Sequence, residues 1–363
     1  MRLWVAVLIA VVWLGIPSHL PAAAAKASGP CFLKWDRFAV FRKEQLANGV
    51  RYTRKIHCPV AADELVLSWN VDLPRIGSIT VEASALYPDH QTRFYGLGQW
   101  SGQPIEGGRR SIPNQQDQDG EVQTDTLVLK QPCHQFELRI TLLGPKARLK
   151  FLGCSLVSSS ARQTVRESDR RAWGRTLPVP PLSQRDYPGG ESKWCSPTSL
   201  AMVLAYWARR MHQPGWEQAV PTIAREVYDP VLGGTGNWPF NAAYAGSFPG
   251  LRAFITRLGD VAELEPWIAR GMPVILSVSY DLLLGKAQPG KDDGHLVVCT
   301  GFTESGEVVI HDPGTSLSKV VGIFPRSQVK AAWAISRNTV YLIYPVSQKP
   351  PASLFVHWPQ PRF

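Results

Sequence analysis

The sequence predicts an α+β protein: an N-terminal antiparallel β-sandwich at residues 28–160, then a second unit at 178–350 in which helices precede a run of strands. Three observations carry this reading. The 363 residues suggest about two domains at ~150 residues each. Runs of alternating apolar and polar residues, separated by turn residues, fill the first half. The second half begins with a segment of helical period and ends in short apolar runs. With 44% hydrophobic and 19% charged residues, global disorder is excluded. The 30 Gly, 30 Pro and 13 Trp against 4 Met suit a turn-rich, β-containing chain.

Residues 1–27 read as a secretory signal peptide. Arg2 is followed by the uncharged apolar run Leu3 to Ile16, then Pro17, Pro21 and the small residues Ala22 to Ala25 and Ala27. A spanning helix needs ~20 apolar residues, and Pro17 interrupts this one. The expected location is therefore secreted or extracytoplasmic, with cell-envelope association open. The sandwich strands follow: Glu64 to Asp72, Ser78 to Ser84, Thr124 to Leu129, Phe136 to Leu142 and Ala147 to Leu152. Gln116-Asp-Gln-Asp-Gly120 has half the acidic positions of a calcium loop and reads as a polar turn. The Ser- and Arg-rich residues 161–177 read as an exposed linker, and 351–363 as a tail.

In the second unit, Leu200, Val203, Leu204 and Trp207 give Pro197 to Arg210 a helical spacing. Leu251 to Leu258, Val261 to Arg270 and Ser327 to Trp333 are further helix candidates. Pro273 to Ser279, His295 to Thr300, Glu307 to His311 and Thr339 to Tyr344 read as strands.

The six cysteines lack the C-x-x-C pairs of a zinc site, and neither a metal nor an organic cofactor is expected. Export would permit disulfides. Cys31 with Cys58, and Cys133 with Cys154, are plausible pairs in the first unit, and the pairing stays open.

Cys195 stands apart. It stands two residues before Pro197, a good first-turn residue, and so lies at or just before a helix start where N–H groups and the helix dipole favour a thiolate. His295, between Gly294 and an apolar strand, is a candidate base. The short turn Ser305-Gly306 folds the next strand back, so Asp312 can return level with His295 and hold its ring. Asp292, Asp293 and His311 are rivals for these roles. Gln184 is a candidate oxyanion donor. In Gly233-Gly-Thr-Gly-Asn-Trp-Pro-Phe240, which lacks the Lys of a phosphate loop, Asn237 and Trp238 are candidate substrate contacts, with Trp194 beside the thiol.

Gln184, Trp194-Cys-Ser-Pro-Thr-Ser199, the 233–240 stretch, Gly294-His-Leu-Val-Val298 and Asp312-Pro313 together resemble the C39-like cysteine peptidases of the second C39 family. That resemblance covers residues 178 to about 346. It implies a papain-like fold, with Cys195 as nucleophile, His295 as base, Asp312 as orienter and Gln184 at the oxyanion hole. Tyr187-Pro-Gly-Gly190 looks like an insertion between Gln184 and the thiol, and Ser196 stands where many members have Gly.

The functional expectation is an exported cysteine peptidase acting on peptide-type amide bonds. Two alternatives stand beside it. One is a peptidoglycan-directed amidase, endopeptidase or acyltransferase using the same residues, and the other is an inactive secreted binding protein. The formal charge of +10 suits an anionic wall polymer. The partners expected are a peptide or cell-wall peptide substrate. Nucleic acid is not expected, because no long basic block or nucleic-acid module appears. No fused membrane transporter or transmembrane partner is implied.

Overall fold

The computed structural model describes residues 29–103, 108–160, 167–291 and 293–352. The expected signal peptide and nearly all of the expected tail lie outside these residues. Among the described residues, no helix is long and apolar enough to cross a membrane.

The first eight strands are β1 (Cys31–Trp35), β2 (Arg42–Leu46), β3 (Gly49–Asp72), β4 (Ser78–Ala85), β5 (Tyr95–Ser101), β6 (Gly120–Gln123), β7 (Thr126–Leu143) and β8 (Arg148–Val157). They form one antiparallel sheet in the order β1-β8-β3-β7-β4-β5, with β2 beside β3 and β6 beside β7. Two separate sheets were expected here; the ladder is continuous instead. The reason is the length of β3 and β7, 24 and 18 residues. Early β3 pairs with β2 and late β7, while late β3 pairs with β8 and early β7. An irregularity between His57 and Glu64 divides the two stretches. Pro59, which cannot donate to a ladder, sits in that break.

The second unit runs β9 (Arg175–Thr176), α1 (Cys195–Arg210), α2 (Val220–Val227), α3 (Trp238–Ser247), β10 (Leu251–Arg257), α4 (Glu265–Ala269), β11 (Val274–Ser279), α5 (Tyr280–Leu283), β12 (Gly294–Phe302), β13 (Val308–His311), β14 (Val321–Phe324), α6 (Arg326–Ala334) and β15 (Thr339–Pro345). Its antiparallel sheet has the order β10-β15-β11-β12-β13-β14, with β9 beside β12. Two largely antiparallel sheets with few helices make the chain α+β.

Two sequence expectations fail here for physical reasons. Leu251 to Arg257 is a strand. Leu251, Phe254, Ile255 and Leu258 fall at helical spacing by accident, because β10 is covered on both faces and loses its alternation. The end of the 161–177 stretch is not an exposed linker. Arg175 and Thr176 pair with Phe302 and Gly301, Ala172 is buried, and Trp173 Nε1 donates to Glu265 at 2.9 Å. One aromatic anchor outweighs the charged composition around it.

The two sheets share one continuous core. Asn70 on β3 donates to the Ala253 carbonyl at 2.7 Å and accepts from the Ala253 N–H at 3.2 Å. Ser68 Oγ accepts the Ile255 N–H at 3.2 Å. These side chains satisfy the outer edge of β10, which has no strand neighbour on that side among the described residues. Phe32 stacks on Phe254 with centroids 4.7 Å apart. Glu64 closes the interface by accepting from Arg257 at 2.9 Å and Arg337 at 2.5 Å.

Candidate active site

Cys195 is the first residue of α1. That helix start has no side-chain cap, so its orphan N–H groups and positive dipole end act on the sulfur. The preceding turn is closed by Trp194 N–H donating to the Gly190 carbonyl at 3.1 Å. The Trp194 ring lies so close over Gly190 that a Cβ there would sit 2.4 Å from it. Tyr341 on β15 anchors the next residue, with its hydroxyl 3.1 Å from Ser196 Oγ.

His295 is the second residue of β12 and is buried. Its Nε2 lies 2.6 Å from Asp312 Oδ1. That leaves Nδ1 for the hydrogen bond between the ring and the Cys195 thiol. Asp312 follows β13. The β12–β13 hairpin turns at Gly306, whose φ of +85° favours glycine, and its ladder ends with His311 opposite Val298. The Asp312 carboxylate then spans the remaining distance to His295. The Gly314 N–H donates to Asp312 Oδ1 at 2.8 Å. A Cβ on Gly314 would lie 3.0 Å from the imidazole and 3.1 Å from that carboxylate, so the close approach needs glycine.

These contacts set the protonation states. Burial pushes the Cys195 thiol up, but the hydrogen bond and charge of His295, with the backbone N–H groups of Leu296 and Ser196, bring it below its ordinary value. Burial opposes charge on His295, yet hydrogen bonds to Asp312 and Cys195 raise it to about 9. Burial raises Asp312 too, and His295 outweighs it, leaving the carboxyl lowered. A thiolate beside an imidazolium held by a carboxylate is the favoured state of the trio.

Tyr280 is a residue the sequence did not single out. Its ring centroid is 4.3 Å from that of His295. Burial and then the charge and hydrogen bond of Asp312 push its phenol up to about 12, so it stays a donor. It lies past the end of β11, and no motif marks it.

The other expected residues divide. Gln184 is buried beside the Asp312 turn: its N–H donates to the Pro313 carbonyl at 2.9 Å. Ser183 Oγ donates to Thr315 O, and Arg185 Nε to Gly314 O, both at 2.6 Å. Gln184 Nε2 donates to the Glu191 carbonyl at 2.8 Å, which commits one of its two N–H bonds. Trp194 flanks Cys195 and is half-buried.

Asn237 does not reach a substrate surface. It is fully buried, caps α3 by accepting from Phe240 N–H at 3.1 Å, and donates to Asp229 at 2.9 Å and Ser111 at 3.2 Å. Its polarity serves the helix start and the junction between units. Trp238 lines a cavity of about 310 Å³ between the units, with Asp125, Arg257 and Arg337. None of Cys195, His295 and Asp312 lines that cavity. His311 is buried, pushed down to about 4 by burial, and stays neutral. Asp293 caps a turn by accepting from Gly290 N–H at 3.1 Å. Asp292 lies outside the described residues. Among the described residues, no His, Cys, Asp and Glu cluster has the geometry of a metal site.

An activated sulfur, a proton-carrying ring and a carboxylate behind it can attack a carbonyl and protonate a leaving group, the chemistry of thiol hydrolases. Residues 176–341 match the model of the Peptidase C39 like family, and residues 40–154 match that of the Peptidase C39 N-terminal domain. The chain thus carries a C39-like peptidase domain preceded by a C39 N-terminal domain. A solved structure of a candidate C39-like peptidase from Bacillus anthracis is 18% identical, with a TM-score of 0.35, covering 48% of this chain and 99% of that one. No curated protein matches the chain.

Proposed function

We propose that the protein is an exported cysteine peptidase that hydrolyses peptide-type amide bonds through Cys195, His295 and Asp312. One observation carries the reading: His295 bridges a partly exposed thiol and a buried carboxylate, 2.6 Å from the latter. The family match of residues 176–341 supports it, and a papain-like arrangement of that domain is part of the reading.

The thiolate of Cys195 attacks the amide carbonyl. The helix-start N–H groups, with the uncommitted N–H of Gln184, stabilise the oxyanion. His295 gives its proton to the leaving amine, and a thioester remains. The neutral ring then takes a proton from water, which attacks the thioester and frees the acid. Asp312 and Tyr280 hold the ring through both steps. Trp194 flanks the scissile bond.

Replacing Cys195 by Ala is expected to lower peptide hydrolysis by at least about a thousandfold. Iodoacetamide should abolish turnover and label Cys195. Full activity in Cys195→Ala would overturn the reading. The charge of +10 favours substrates set in an anionic wall polymer. Product analysis on purified wall against a casein-type substrate distinguishes wall-peptide cleavage from general proteolysis.

A further inference from the structure

Three of the remaining cysteines converge inside the first sheet. Cys31 is opposite Leu156 on β8, and Cys154 is opposite Leu33 on β1. Residues two apart on a strand share a face, so Cys31 and Cys154 lie on one face as diagonal neighbours. Phe32, adjacent to Cys31, turns the other way and stacks on Phe254 of the second unit. The two thiols therefore face the first unit's own interior. Cys58 reaches the same point from the irregular stretch of β3, and its sulfur is hydrogen-bonded to that of Cys31. Cys154 lies near enough to both for their charges to interact. All three are buried. Cys133 is elsewhere: its sulfur donates to the carbonyls of Leu86 at 3.2 Å and Gln135 at 3.0 Å, so the expected Cys133–Cys154 pair does not form.

We propose that Cys31 and Cys58 form a disulfide that fastens β1 to β3, with Cys154 held beside it as a third thiol that can exchange into the bond. The oxidant is an external disulfide, such as oxidised glutathione. While β1 is undocked, the Cys58 thiolate attacks it and expels one external thiolate, giving a mixed disulfide. The Cys31 thiolate then attacks the Cys58 sulfur and expels the second. Two protein thiols lose two protons and two electrons, and the external disulfide becomes two thiols. Docking of β1 buries the product and shields it from later reduction.

The test uses the full-length chain with Cys195→Ala, so that the reactive thiol does not interfere. The chain is refolded in a mixture of reduced and oxidised glutathione, and the folded fraction is isolated and checked by circular dichroism. It is then denatured, alkylated without reductant and mapped by mass spectrometry. The expected result is a peptide containing Cys31 linked to one containing Cys58 in most molecules, with Cys154 alkylated. Adding Cys58→Ser should move the link to Cys31 and Cys154. Free Cys31 and Cys58 in the folded Cys195→Ala chain, or a link from Cys133 to Cys154, would overturn the proposal. Free Cys31 and Cys154 in a folded Cys58→Ser chain would remove the exchange role of Cys154. If Cys58→Ser does not fold, the mapping of the Cys195→Ala chain decides the pairing.

Discussion

Two charge clusters border the second sheet, one at β12 and β13 and one at its edge strand β10, and the two are built for different ends. At one, Cys195, His295 and Asp312 form a line that ends on a half-open sulfur. At the other, Glu64 sits between Arg257 and Arg337, and the charges of Glu64 and Arg257 are enclosed. Both clusters remove charge from water, which costs several kcal/mol per ion unless partners compensate. The first spends its arrangement on shifting protons toward a reactive state. The second joins strands from different units and presents no nucleophile. Breaking the first should slow chemistry and spare the fold, while breaking the second should do the reverse.

After the loss of Cys195 itself, the largest effect should come from Asp312→Ala. Freed of its carboxylate, His295 loses its fixed orientation and part of its raised basicity, and kcat/KM is expected to fall about 10³- to 10⁴-fold, read by peptide hydrolysis. Next is Glu64→Ala, which leaves Arg257 buried without its counterion. A loss of about 3–5 kcal/mol is expected in denaturant unfolding, with kcat of the folded fraction nearly unchanged. If Glu64→Ala instead lowered kcat at full stability, the contrast between the clusters would fail.

The pH profile sharpens the first cluster. The proposed mechanism needs a deprotonated thiol and a protonated ring. The rate should rise with pH through the lowered Cys195 value and fall near pH 9, where His295 loses its proton. The smallest effect belongs to Tyr280→Phe. Loss of its bond to Asp312 is expected to reduce kcat less than about tenfold and to displace the limbs of the profile, while KM stays put. An unchanged profile would restrict Tyr280 to packing.

What was legible in the sequence follows the same division. Cys195 could be found because Pro197 marks a helix start, and Asp312 because Gly306 marks a tight hairpin. Local rules suffice for both. Tyr280 and Gly314 were not legible, since each matters only through a ring brought in from another element. Alternation in Glu64 to Asp72 predicted a strand correctly but suggested a polar face toward water. Glu64, Ser68 and Asn70 instead bond the second unit, because a row of side chains with the right polarity can satisfy another sheet's edge as well as solvent can. Asn237 looked like a ligand contact for the related reason that a buried cap and a binding group share one residue type. The 251–257 stretch misled because burial on both faces erases the period that separates strand from helix.

The Asn70 amide mimics a missing strand along Ala253. A protease that nicked the chain between the units, or a gene encoding only residues 176–341, would uncover that border of β10. The freed fragment would expose unpaired peptide groups beside Phe254 and recruit copies of itself. Severing the two halves would therefore yield a sticky remnant rather than a smaller independent unit.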